Sequence, residues 1–110
     1  MTTGWMIAVL VELPSETAPI RYFYAVSKPD QARAEWAALD RASSVGQIAA
    51  SPFGGMEPVE AIAAISAATI KSMGIATGET RALGHRWPRR WIGNERPAVA
   101  QAATAATKVR

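Results

Sequence analysis

Apolar positions in the first 26 residues fall into two short runs. In the first, Trp5, Ile7, Val9, Val11 and Leu13 alternate with Met6, Ala8, Leu10 and Glu12. Alternation of this kind marks an extended chain whose side chains point to opposite faces. Both sets are apolar until Glu12, so the pattern predicts a strand covered on two sides. In the second run Ile20, Tyr22, Tyr24 and Val26 share one face, opposite Arg21, Phe23 and Ala25. The linking segment carries Pro14 and Pro19 near its ends, where a missing N–H disturbs a strand ladder least. Gly4 to Val26 therefore reads as a β-hairpin with a loop longer than two residues. A lone hairpin is marginal in water, and the rest of the chain must cover or extend it.

The period then changes. Ser27-Lys28-Pro29-Asp30 reads as a helix start, with Ser27 able to cap, Pro29 tolerated in the first turn and Asp30 favoured by the helix dipole. A helix over about 29–41 follows. Ala32, Trp36 and Leu39 fall at helical spacing, which predicts a core-facing stripe with Trp36 as the anchor on the hairpin. Residues 43–58 read as a connector punctuated by Ser51-Pro52 and Gly54-Gly55, with Phe53 expected to tuck into the core.

Residues 59–74 allow two readings. As a single helix, Pro58 opens it and alanine favours it. As two elements, 59–65 is a third strand and Ser66 caps a short helix over 66–73. The capping serine and the weakness of a two-stranded sheet tip the balance to the second reading. Both end alike, with Gly74 in the left-handed position after Met73 and Ile75 folding back on Ile70. Thr80 to Leu83 reads as a short extended piece along a sheet edge. The expected fold is thus α+β: a hairpin extended to a small antiparallel sheet, two helices, and an irregular basic tail. One domain over 1–84 is expected, with 85–110 as its extension. Within that extension 93–97 reads as a turn and 98–109 as an alanine-rich segment able to form a terminal helix.

Charge sharpens that boundary. The net charge of the 110 residues is +3. Residues 1–84 carry six basic against eight acidic side chains, whereas 85–110 carry six basic against Glu95 alone. The basicity belongs to the tail, and in His85-Arg86-Trp87-Pro88-Arg89-Arg90-Trp91 it is interleaved with aromatic bulk. Arginine outnumbers lysine nine to three, a bias expected of a GC-rich bacterial coding sequence.

Little catalytic chemistry is written in the chain. There is no cysteine and one histidine, His85, which has no obvious carboxylate to orient it. No Gly-x-Ser-x-Gly elbow occurs. Glu57 and Glu60 form the closest acidic pair, without the ligand spacing of a metal site. Gly54-Gly55 lacks the flanking strand, helix and lysine of a phosphate cradle. No catalytic residue, cofactor or metal is assigned. The apolar run at 6–11 lacks a basic flank and is interrupted by Glu12, and no run approaches a membrane span, so a cytoplasmic location is expected.

The residues that point to an interaction are Arg86, Trp87, Arg89, Arg90 and Trp91. Tryptophan and arginine dominate protein–protein hot spots, and the same pair can stack on bases and grip phosphates. The preferred reading is a non-enzymatic interaction or assembly module, its tail docking on a copy of itself or on a protein partner. One rival is nucleic-acid binding through the tail; another is a small-molecule or enzymatic domain with a pocket between sheet and helices.

Overall fold

The computed structural model describes residues 2–92. They form an α+β fold, one antiparallel sheet of five strands with three helices. The hairpin is its spine. β1 (Thr2–Glu12) pairs with β2 (Ile20–Val26) in register from Trp5–Val26 to Val11–Ile20. β5 (Thr80–Gly84) adds to the far side of β2. The other side of β1 is shared by two strands. β4 (Val59–Ser66) runs beside Thr2 to Val9, and the two-residue β3 (Gln47–Ile48) beside Val11 and Glu12. At the junction the Leu10 N–H donates to Pro58 O and its carbonyl accepts from Ala49 N–H, both at 2.9 Å. The gap between β3 and β4 therefore leaves the Leu10 backbone paired on that side.

The two-sided apolar pattern of β1 is matched by cover on both faces. Met6 to Val11 are at most 1% exposed. On one face Ile7, Val9, Val11, Tyr24 and Val26 meet α1 (Gln31–Ala42). On the other, Met6, Ala25 and Ile65 meet Ile70 and Met73 of α2 (Ala67–Met73) and the following Ile75.

The helix α1 departs from expectation in two respects. Its buried face is Ala34, Ala38 and Ala42, while Trp36 is 68% exposed. The sheet beneath already presents the bulk of Ile7, Val9 and Tyr24. A helix lying on such a surface comes closest with alanine, and a tryptophan there would hold it off. The helix also starts later than its proline suggested. Asp30 is the N-cap, in extended backbone, and its Oδ2 accepts from Arg33 N–H at 2.9 Å. Ser27 is instead buried, its N–H donating to Glu79 O and its carbonyl accepting from Gly78 N–H.

The strand-then-helix reading of 59–74 holds. Ser66 ends β4 and caps α2, its hydroxyl accepting from Thr69 N–H. Gly74 adopts φ 70°, and Ile75 N–H returns to Ile70 O at 3.2 Å. Arg81 secures the same helix end by donating to Met73 O and Gly74 O, both at 3.0 Å, while Glu79 accepts from it. Phe53 corrects a third expectation. It bridges only to Met56 across a turn with Gly54 and Gly55 at positive φ, and stands 46% exposed. The connector also contains β3, too short to leave a periodic signal. Among the described residues no helix is long and apolar enough to cross a membrane.

Candidate functional site

The segment after β5 owes its path to Gly84, whose φ of 87° lets the chain turn away from the sheet edge. Gly84 pairs with Phe23, and beyond it β2 has no neighbour on that side among the described residues. The chain wraps around this bare end. His85 meets Tyr22 edge-on at 6.3 Å, and Trp87 meets Phe23 edge-on at 5.6 Å. A T-shaped pair of this kind contributes about 0.5–1.5 kcal/mol beyond the area it covers. Pro88 then opens the single turn α3 (Arg89–Ile92), accepting from Trp91 and Ile92 N–H at 3.0 and 3.1 Å. Its own lack of an N–H costs nothing at a helix start. Trp91 and Ile92 pack against the cluster of Met6, Ala25, Ile65 and Ile70, beside Leu83.

The five residues singled out from the sequence therefore divide into two sets. Trp87 and Trp91 are half-buried on the domain's own second face. Arg86, Arg89 and Arg90 are exposed, with the Arg90 guanidinium 4.8 Å over the Trp91 ring. The tryptophans hold the segment and the arginines line its outside.

Beside Trp87 the same face carries a charge pair that the sequence concealed. Arg21 donates to Glu60 Oε1 at 3.0 Å. Arg21 lies opposite Leu10 and Glu60 opposite Ala8, so the pair reaches from β2 to β4 across the central strand. The short side chain of Ala8 leaves room for this crossing, and both Ala8 and Leu10 are fully buried. The Arg21 side chain is only 8% exposed, against 39% for Glu60, and its Nε is buried without a partner. Burial lowers the Arg21 pKa, and the Glu60 charge and hydrogen bond oppose that shift. Alternation put Arg21 on the face of Phe23, but only the register of β4 brings Glu60 to it.

Two open clefts lie elsewhere. One, of about 690 Å³, sits between the β1–β2 loop and the loop before β3, with Glu12, Glu16, Thr17 and Gln47 in its walls. The other, of about 400 Å³, lies at the start of α1 between Lys28, Asp30, Arg33 and Thr77. Neither includes His85 or joins a nucleophile to a base. Glu79 is held below its ordinary pKa by the Ala76 N–H, then by Arg81, as expected of a carboxylate serving a turn. Among the described residues no three His, Asp or Glu side chains converge as metal ligands. The expected turn at 93–97 and alanine-rich segment at 98–109 lie outside the described residues. No protein-family model matches this chain, and no curated protein or solved structure matches it.

Proposed function

We propose that this domain is a non-enzymatic interaction module whose 85–92 segment engages an acidic protein surface through Arg86, Arg89 and Arg90. The observation that supports this reading is the inward packing of Trp87 and Trp91. It fixes the segment on the sheet and leaves three guanidinium groups on its outer side. Such groups are pre-placed for carboxylates, with less ordering to be done on binding. The same inward packing weakens the nucleic-acid reading, because single-stranded recognition depends on aromatic rings free to stack on bases.

The test compares two fluorescent probes of equal charge, a glutamate-rich peptide and a single-stranded oligonucleotide, titrated with the full chain at low and physiological salt. Peptide binding that is lost in the triple variant R86A/R89A/R90A is the expected result. Tighter binding of the oligonucleotide, with a salt slope that falls in the same variant, would replace this reading with the nucleic-acid one. No binding of either probe at low salt would remove both.

A further inference from the structure

The larger cleft and the outside of 85–92 carry opposite charge. The cleft, of about 690 Å³, opens between the β1–β2 loop and the loop before β3. Clefts that take small molecules or side chains commonly measure about 300–1,000 Å³. Glu12 and Glu16 stand in its walls, and no lysine, arginine or histidine does. Neither glutamate has an ion-pair partner among the described residues. Beside them the wall is apolar at Leu13, Pro14 and Val45, and Val45 is 43% exposed. Carboxylates next to apolar wall suit arginine, whose stem is hydrocarbon and whose head is a flat cation.

The arginines that match this cleft are out of its reach within one molecule. Arg86, Arg89 and Arg90 are exposed, and none pairs with an acid among the described residues. Their segment runs away from the cleft. His85 lies at Tyr22, Trp87 lies at Phe23, and Trp91 packs against the cluster that contains Met6 and Ala25. Ala25 follows Pro19, in the cleft wall, by six positions, about 20 Å at the rise of a strand. That is farther than one arginine side chain spans. The domain thus has an acidic concave surface and a basic protruding one, and only another molecule brings two such surfaces together.

We propose that copies of this chain associate head to tail, with Arg86, Arg89 and Arg90 of one entering the Glu12–Glu16 cleft of the next. This rests on the reading of 85–92 as a segment that engages an acidic protein surface, and it names that surface. The contact joins two different patches, so each copy offers one of each to its neighbours. Such an assembly closes into a ring of two or more copies or grows as an open chain. The charges on both sides stand in water, and salt screens them over about 8 Å at physiological ionic strength. Complementarity of this kind orients the encounter more than it tightens it, so the association is reversible and salt-sensitive.

The experiment is sedimentation equilibrium of the full chain from micromolar to millimolar concentration, at low and high salt. Circular dichroism verifies that each variant is folded. The expected result is self-association that rises with concentration and falls with salt. E12Q/E16Q keeps the size of the acidic side chains and removes their charge, and R86A/R89A/R90A removes the cations. Each should weaken association at least about tenfold, as loss of two or three exposed ion pairs does. Mixing is the sharper test. E12Q/E16Q retains the arginines and R86A/R89A/R90A retains the cleft, so together they should form a 1:1 complex where each alone is monomeric. A parent chain that is monomeric at every concentration overturns the proposal. So does association indifferent to either variant, or a mixture that stays monomeric. A monomeric chain that still binds the glutamate-rich peptide through its arginines removes this inference alone, whereas one that binds no peptide removes the reading of 85–92 as well.

Discussion

Glu60→Ala and Arg21→Met remove opposite ends of one ion pair, and their costs should be unequal. Glu60→Ala deletes the acceptor of a guanidinium whose side chain is 8% exposed and whose Nε already lacks a partner. Breaking a buried pair in this direction leaves the cation only the Phe23 ring, 5.6 Å away, in place of a carboxylate, and such a loss costs about 3–5 kcal/mol where both ends are dry. Glu60 is 39% exposed, so water reaches that end of the pair and reduces the penalty. The expected loss is about 2 kcal/mol, a fall in Tm of roughly 8–16 °C for a domain of this size. Arg21→Met acts differently. It leaves Glu60 free to turn to solvent and puts an apolar chain of similar length over Ala8 and Leu10, so the loss should stay below about 1 kcal/mol. In the double variant the losses should not add, because removing both charges leaves nothing uncompensated. Urea unfolding monitored by circular dichroism at one fixed protein concentration measures all three. If Arg21→Met proves as costly as Glu60→Ala, the premise that the guanidinium is the stranded partner is wrong.

Other outcomes follow from local geometry. Gly4→Ala should destabilise by roughly 1–3 kcal/mol, because its Cβ would lie 2.6 Å from Val26 O and 2.9 Å from Ile70 Cδ1, and denaturant unfolding will show it. Trp87→Ala removes the ring that meets Phe23 edge-on. It should cost about 1–2 kcal/mol and speed proteolytic cleavage after Arg86, read by mass spectrometry of timed digests. Glu79 has its folded pKa depressed below the ordinary value of 4.5, chiefly by the Ala76 N–H. Its contribution is therefore present above that value and lost as pH falls through the folded pKa. Glu79→Gln should accordingly differ in stability from the parent at neutral pH and converge with it in acid, measured by unfolding across that range.

Local chemistry made much of this fold legible. Ser66 as a cap, Gly74 as a left-handed stop and the alternation of β1 each report a backbone requirement set within a few residues. The alternation also demanded cover on both faces of β1, and α1 and α2 supply it. Trp36 misled because a helical stripe is recognised by its largest members. The face that packs here is Ala34–Ala38–Ala42, whose smallness answers to bulk contributed by β1 and β2. That requirement arises only between elements. The Arg21–Glu60 pair was hidden for a similar reason, since its partners lie 39 residues apart and meet through the register of a third strand. Phe53 failed differently: an aromatic beside Gly-Gly satisfies a turn as readily as a core.

The position of β1 at the centre of the sheet also bears on how the chain is made. It is apolar on both sides, and β2, which follows it directly in the chain, can close one of its edges almost at once. Its other edge waits for β4, whose last residue follows the end of β1 by 54 positions. At about 5–20 residues per second the wait lasts roughly 3–10 s. Throughout it the nascent hairpin carries a bare edge, and even after α1 is made the face of Met6 and Ala25 still waits for β4 and α2, a natural substrate for chaperones that grip extended hydrophobic chain. Translation speed between Ser27 and Ser66 is thus a determinant of yield, and slow codons in that stretch should favour aggregation over folding.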